Sequence, residues 1–219
     1  MKRQRAGFTI VETLIVLAVS GVLFISVAAL ISGQINRYRT RDAVFNLESS
    51  VRDVLNDVST GYYPEVGTNY NCDGTAGTTD RGKNTSCLIA GKKIEFKPNG
   101  IVVTPVVAPS SLTTIPTISQ LTPINNLSET KNYEWGIYPK GVTASGPFPT
   151  FYVLSKTYGT AYASGVSGGQ SVGIYNSSLS ALSGTGSKIC FVNGDGDSSI
   201  TLGKDGGLTV NALTKDSSC

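Results

Sequence analysis

This 219-residue chain predicts an α+β fold: a long N-terminal α-helix packed on an antiparallel β-sheet head. Three observations carry that reading. From Phe8 to Ile31 every side chain except Glu12 is apolar or small. Apolar residues then recur at helical spacing, with no proline before Pro64. Past residue 60 the composition turns to Ser, Thr, Gly and Asn, with short β-branched and aromatic runs between turn residues.

Length and charge narrow the function classes. The chain has room for one membrane segment plus one domain that buries its own core. Its formal charge of +3 is the share of Lys2, Arg3 and Arg5, because the remaining basic and acidic residues balance. Such a balance gives no basic field for nucleic acid, which is not an expected partner. The chain has no histidine, the commonest general base and metal ligand. With no phosphate-binding glycine loop and no Ser/His/Asp arrangement either, neither an enzyme nor a cofactor is expected.

Residues 8–31 meet the requirement of roughly 20 apolar residues for a spanning helix, and the basic cluster before them marks the cytoplasmic end. A signal peptide has an apolar region of roughly 7–15 residues before a small-residue cleavage site; this run is longer and lacks such a site. Glu12 is the exception inside it. A charge at mid-membrane costs roughly 2.5–3.5 kcal/mol, and even near an edge it asks for a partner.

Residues 32–61 continue the helix. Val44, Leu47, Val51, Val54 and Val58 follow one another at steps of three and four, an apolar stripe suited to the chain's own sheet. Arg37, Arg39 and Arg41 form a cationic cluster that suits either phosphate headgroups or simple solvation. Gly61 is the expected C-cap, and Pro64 forbids continuation. From Phe8 to this point the helix is a rod of roughly 80 Å.

Residues 62–219 form the head. A loop region from Gly61 to Asn84 holds Cys72; pairing it with Cys87 would close that loop and contribute about 3 kcal/mol. Strands are expected at Lys92–Phe96, Gly100–Val107, Tyr133–Tyr138, Thr150–Ser155, Gly173–Tyr175, Ser187–Val192, Ser199–Leu202 and Gly207–Val210. Pro98-Asn99-Gly100 and Lys204-Asp205-Gly206-Gly207 read as turns. Thr113–Leu127 reads as an irregular crossing or short helix, and Thr157–Gly169 as a flexible loop or a short small-residue helix. All four cysteines, Cys72, Cys87, Cys190 and Cys219, follow the apolar segment, which suits two disulfides in an oxidising compartment. Of the three connectivities they allow, pairing of sequence neighbours is the simplest. Thiolate metal binding is disfavoured, since no C-x₂₋₄-C unit is present. Asn193, Asp195 and Asp197 space oxygen ligands like a calcium loop. However, Ser198 stands at the sixth position and Lys204 at the twelfth, where Gly and Glu are needed; a tight turn with solvated carboxylates is favoured.

The N-terminal motif resembles that of the type IV pilin superfamily: a short basic leader ending in Gly7, then Phe8, then Glu12 five residues after the glycine. Ile10-Val11 stands where Leu-Ile is commoner. Gly21 matches a helix glycine frequent in pilins, and Ala29 replaces a frequent proline. The resemblance implies that residues 1–7 are a leader, cut between Gly7 and Phe8 by a prepilin peptidase that methylates the new amine. It implies that residues 8–31 form a filament-core helix in which Glu12 meets the Phe8 amine of a neighbouring subunit and sets the register. It also implies partners: the bilayer, an inner-membrane assembly platform, and then other copies and other pilins in an extracellular filament. A disulfide-bounded C-terminal region, Cys190 to Cys219, fits the same family, and some pseudopilins bind calcium near their C-terminus. The expected function is a structural subunit of a type IV pilus-like filament, a minor pilin rather than the major one. The alternatives are a pseudopilin of a type II secretion or DNA-uptake system, and a membrane-anchored binding module that never polymerises.

Overall fold

A computed structural model describes residues 9–63, 70–75, 87–112, 114–155, 172–178, 186–193, 196–203, 208–211 and 219. Contacts divide the chain into two units, Met1–Arg39 and Thr40–Cys219. Helix α1, Ile10–Thr60, runs through the boundary. It stops where the sequence says it should. Gly61 takes φ +68°, its N–H donates to Val58 O at 3.3 Å, and the Tyr62 N–H donates to Asp57 O at 2.9 Å. This pair of bonds closes the helix with a left-handed glycine and satisfies two carbonyls that the helix leaves open.

Two antiparallel sheets build the second unit. The larger joins β1 (Cys87–Lys97), β2 (Gly100–Pro109), β3 (Thr122–Pro123), β4 (Glu129–Asn132), β6 (Thr150–Ser155) and β7 (Val172–Asn176) in the order β3-β2-β1-β6-β7, with β4 also paired to β2. The smaller has the order β10-β9-β8-β5, from Leu208–Asn211, Gly196–Leu202, Ser187–Asn193 and Tyr138–Pro139. The fold class is therefore α+β.

The expected stripe is the helix's buried face: Val44, Leu47, Val51, Val54 and Val58, joined by Ala43, all lie in the main core. They share it with Ile94, Phe96, Ile101, Val103, Phe151, Val153 and Ile174 of the larger sheet, and with Ile189, Phe191, Ile200 and Leu202 of the smaller. Phe96 sits between two rings, edge-on to Phe151 at 5.9 Å and tilted against Phe191 at 6.2 Å. The opposite face of the larger sheet carries a second cluster of Ala90, Val106, Ala108, Leu121, Leu154 and Tyr175. Tyr152 borders it, and burial, with the nearby Glu95 charge, raises its phenol above the ordinary range.

A β-bulge decides which side chains of β1 face the helix. Ile89 pairs with Val107 and Gly91 with Val106, so Ala90 is an extra residue. A Cβ on Gly91 would collide with the Val153 carbonyl, so only glycine fits there. Beyond the bulge, Lys92 falls on the core side. It is 4% exposed, and its Nζ donates to Asp57 Oδ2 of α1 at 3.0 Å and lies 5.8 Å from the Tyr63 ring centroid.

Most expected strands form within a few residues of their expected ends, and Pro98-Asn99 is the two-residue turn between β1 and β2. Tyr133–Tyr138 is the clear correction. Only Tyr138 is in a strand there, because Trp135 and Gly136 both adopt positive φ, 53° and 69°, which no strand accommodates. The described part of Thr113–Leu127 holds two 3-10 turns, Ile118–Gln120 and Asn125–Leu127, flanking β3. The Thr157–Gly169 segment and the Lys204–Gly207 turn lie outside the described residues.

Candidate functional site

Ile10–Ile31 is a 22-residue helical segment long and apolar enough to cross a membrane, and none of its most apolar window is buried within the chain. Leu14, Leu17, Phe24 and Leu30 are all exposed. Two of the segment's hydroxyls are met locally. Thr13 Oγ1 donates to Ile10 O at 2.8 Å and Ser26 Oγ to Val22 O at 2.9 Å, so neither hydroxyl presents an unmet donor to an apolar surrounding.

Glu12 sits in the first turn and is likewise partnered. Its Oε2 accepts the Thr9 N–H at 2.9 Å and the Thr9 Oγ1 hydroxyl at 3.0 Å, while the Glu12 N–H donates back to Thr9 Oγ1 at 3.3 Å. This reciprocal arrangement is a capping box, Thr9 closing the helix start and Glu12 three residues on reaching back to it. The carboxylate also lies at the positive end of the helix dipole. Both bonds fall on Oε2; among the described residues no donor reaches Oε1. The expected partner of Glu12 lies in another subunit, whereas the one observed within the chain is Thr9. The local partner was visible as Thr9-x-x-Glu12 ahead of an apolar run, a recognisable capping signal.

The other site residues divide by whether the structure describes them. Gly7 and Phe8 lie outside the described residues. So does Asp195, as do the side chains of Asn193 and Asp197; no group of three or more potential metal-binding side chains occurs among the described residues. Cys72 is joined to Cys87 with Cα atoms 5.4 Å apart, and Cys190 to Cys219 with Cα atoms 5.7 Å apart. The first bridge anchors the loop after α1, where Thr122 Oγ1 also donates to Cys72 O at 2.7 Å. The second ties the final residue to β8.

Across this N-terminal stretch, residues 2–28 match the family model of the prokaryotic N-terminal methylation motif. The chain carries a prepilin-type signal. This motif and the exposed apolar helix that follows support a type IV pilin-like prepilin or pseudopilin subunit. They imply processing by a prepilin peptidase and assembly with other pilins, and they fit a precursor held in the inner membrane before it joins a surface filament. No curated protein and no solved structure matches the chain.

Proposed function

We propose that this chain is the prepilin of a type IV pilus-like filament, cut between Gly7 and Phe8, methylated on the Phe8 amine and polymerised through its N-terminal helix. The match of residues 2–28 to the methylation motif carries the reading. In the filament, Oε1 of Glu12 is the atom that meets the Phe8 amine of a neighbouring subunit, while Oε2 stays with Thr9. A carboxylate so divided is costly to leave unpaired in a low-dielectric core and favourable once a cation reaches it. The assembly platform supplies the machinery, and the Thr40–Cys219 unit forms the surface. We assign it the role of a minor subunit, because the 212 residues left after the seven-residue leader exceed the compact size expected of a major one. A pseudopilin of a secretion or DNA-uptake machine rests on the same motif.

Mass spectrometry of the protein's N-terminus, from cells carrying the peptidase, tests the proposal. N-methylphenylalanine at Phe8 is expected; an intact Met1, or a cut beyond Ile31, overturns it. Quantifying the chain in sheared filaments separates minor from major subunit. Deleting the gene and scoring filaments against protein secretion separates pilin from pseudopilin.

A further inference from the structure

We infer that Thr9 is a positioning residue for processing: its cap ends the helix short of the Gly7–Phe8 bond and so keeps that bond open to the prepilin peptidase. The inference rests on the prepilin reading above. It assigns part of the reaction's selectivity to a side chain of the substrate itself.

The residues on either side of the cut favour helix. Lys2-Arg3-Gln4-Arg5-Ala6 consists of good helix formers, and the chain is helical from Ile10 onward. A single glycine between two such stretches weakens a helix without excluding it. A helix continued upstream from Ile10 would enclose the Gly7–Phe8 peptide. Residues 2–28 match the methylation motif, so the stretch that the processing enzyme reads is also the one in which the helix must be stopped.

Two backbone bonds would draw that peptide into a continuous helix. One would run from the Glu12 N–H to the Phe8 carbonyl. The other would run from the Thr9 N–H to the Arg5 carbonyl, across the bond to be cut. Both donors are already taken. The Glu12 N–H donates to Thr9 Oγ1 at 3.3 Å, and the Thr9 N–H donates to Glu12 Oε2 at 2.9 Å. The Thr9 hydroxyl donates to the same Oε2 at 3.0 Å. Thr9 itself stands outside the helix, yet its carbonyl accepts the Thr13 N–H at 3.2 Å, the first intrahelical bond that an N-cap residue makes. One side chain thus sets the boundary, at the residue immediately after Phe8.

That placement matters to a hydrolytic enzyme. The attacking group must come within roughly 3–3.5 Å of the Gly7 carbonyl carbon in the right alignment. In a continuous helix the Gly7 carbonyl oxygen would be bonded to the Val11 N–H, and the enclosing turns would stand in the way of attack. Without the Thr9 hydroxyl the boundary is no longer pinned. Part of the population frays, and part extends toward the leader, where each added carbonyl meets an open amide. The extended part is a poor substrate.

Cleavage of the full chain in detergent micelles, by membranes from cells carrying the peptidase, tests the role, with Thr9→Val and Thr9→Ser run beside the unaltered protein. Valine keeps the shape of threonine and removes the capping oxygen, whereas serine keeps that oxygen. All three should be cut between Gly7 and Phe8. The rate should fall about two- to fivefold in Thr9→Val, the upper end being the factor by which a lost cap shifts a helix boundary, and return close to the original in Thr9→Ser. Carbonyl and Cα chemical shifts of the uncut chain, labelled at Gly7 and Phe8, should move toward helical values in Thr9→Val alone. Three results would overturn the positioning role while leaving the processing itself intact: Thr9→Val cut as fast as the unaltered chain, Thr9→Ser cut as slowly as Thr9→Val, or slower cleavage without the helical shift. An unaltered chain that is not cut between Gly7 and Phe8 would overturn the prepilin reading, and this inference with it.

Discussion

Ile10–Ile31 and Thr40–Thr60 are stretches of one helix, yet they are built for different surroundings. The first is apolar all the way round and buries none of its most apolar window in the chain. The second confines its apolar residues to one stripe, and Val44, Val51 and Val58 are fully buried there, while Glu48 and Arg52 pair at 2.6 Å off that stripe. The lesson is that the width of the apolar face tells where a helix finds its partner. A stripe is satisfied by one sheet. A full cylinder needs lipid, or other helices on every side.

Core truncation should separate the two stretches most sharply. Phe96→Ala removes a fully buried ring from between Phe151 and Phe191 and should cost about 3–5 kcal/mol in chemical denaturation of the head. Leu17→Ala, in the exposed segment, should change the same transition by no more than about 0.5 kcal/mol. An equal loss from both would erase the distinction between the stretches.

Next in size is the first disulfide. Replacing Cys72 and Cys87 together by serine should lower head stability by about 3 kcal/mol, read as a shift of the denaturant midpoint, with micelle insertion of the N-terminal helix unchanged. A smaller effect belongs to the helix start: Thr9→Ala should cost about 1 kcal/mol of local stability, seen as faster amide exchange over residues 10–13 with the head's melting unaltered.

The smallest effect concerns Tyr133, whose hydroxyl is buried with no hydrogen-bond partner among the described residues. Burial pushes its phenol well above the usual range. The folded state therefore favours the protonated form: the contribution is whole below the unfolded value of about 10 and is lost as pH rises past it. Tyr133→Phe should leave stability at pH 7 unchanged or raise it by up to about 1 kcal/mol. It should also flatten the decline above pH 10 in pH-dependent denaturation.

What was legible in the sequence follows a physical line. The helix end could be read because Gly61 and Pro64 act locally, and the stripe because one periodicity governs it. Strands β2, β6 and β8 could be read from their β-branched runs. Strand β4, Glu129–Asn132, could not: it is polar and mostly exposed, and only its backbone pairing with β2 makes it a strand. Tyr133–Tyr138 misled because aromatic and apolar residues mimic alternation, although Gly136 in their midst was a breaker signal. The capping box is masked for another reason: the cost of a charge in lipid points to a distant partner, although Thr9 stands three residues away. The bulge had no cue beyond Gly91 itself, since it is set by the close approach of Val153.

That bulge gives β1 a phase. In an unbroken strand Cys87 and Lys92, five positions apart, would point to opposite faces; the extra residue at Ala90 puts them on the same one. Deleting a single residue here would therefore not remain a local event. If Lys92 kept its place against Asp57, Cys87 would turn away from its disulfide; if Cys87 kept its bridge, Lys92 would leave the helix and Ile94 and Phe96 would leave the core. The length of this strand is thus under stricter constraint than its composition, and lineages of the protein should exchange residues along β1 far more freely than they gain or lose one.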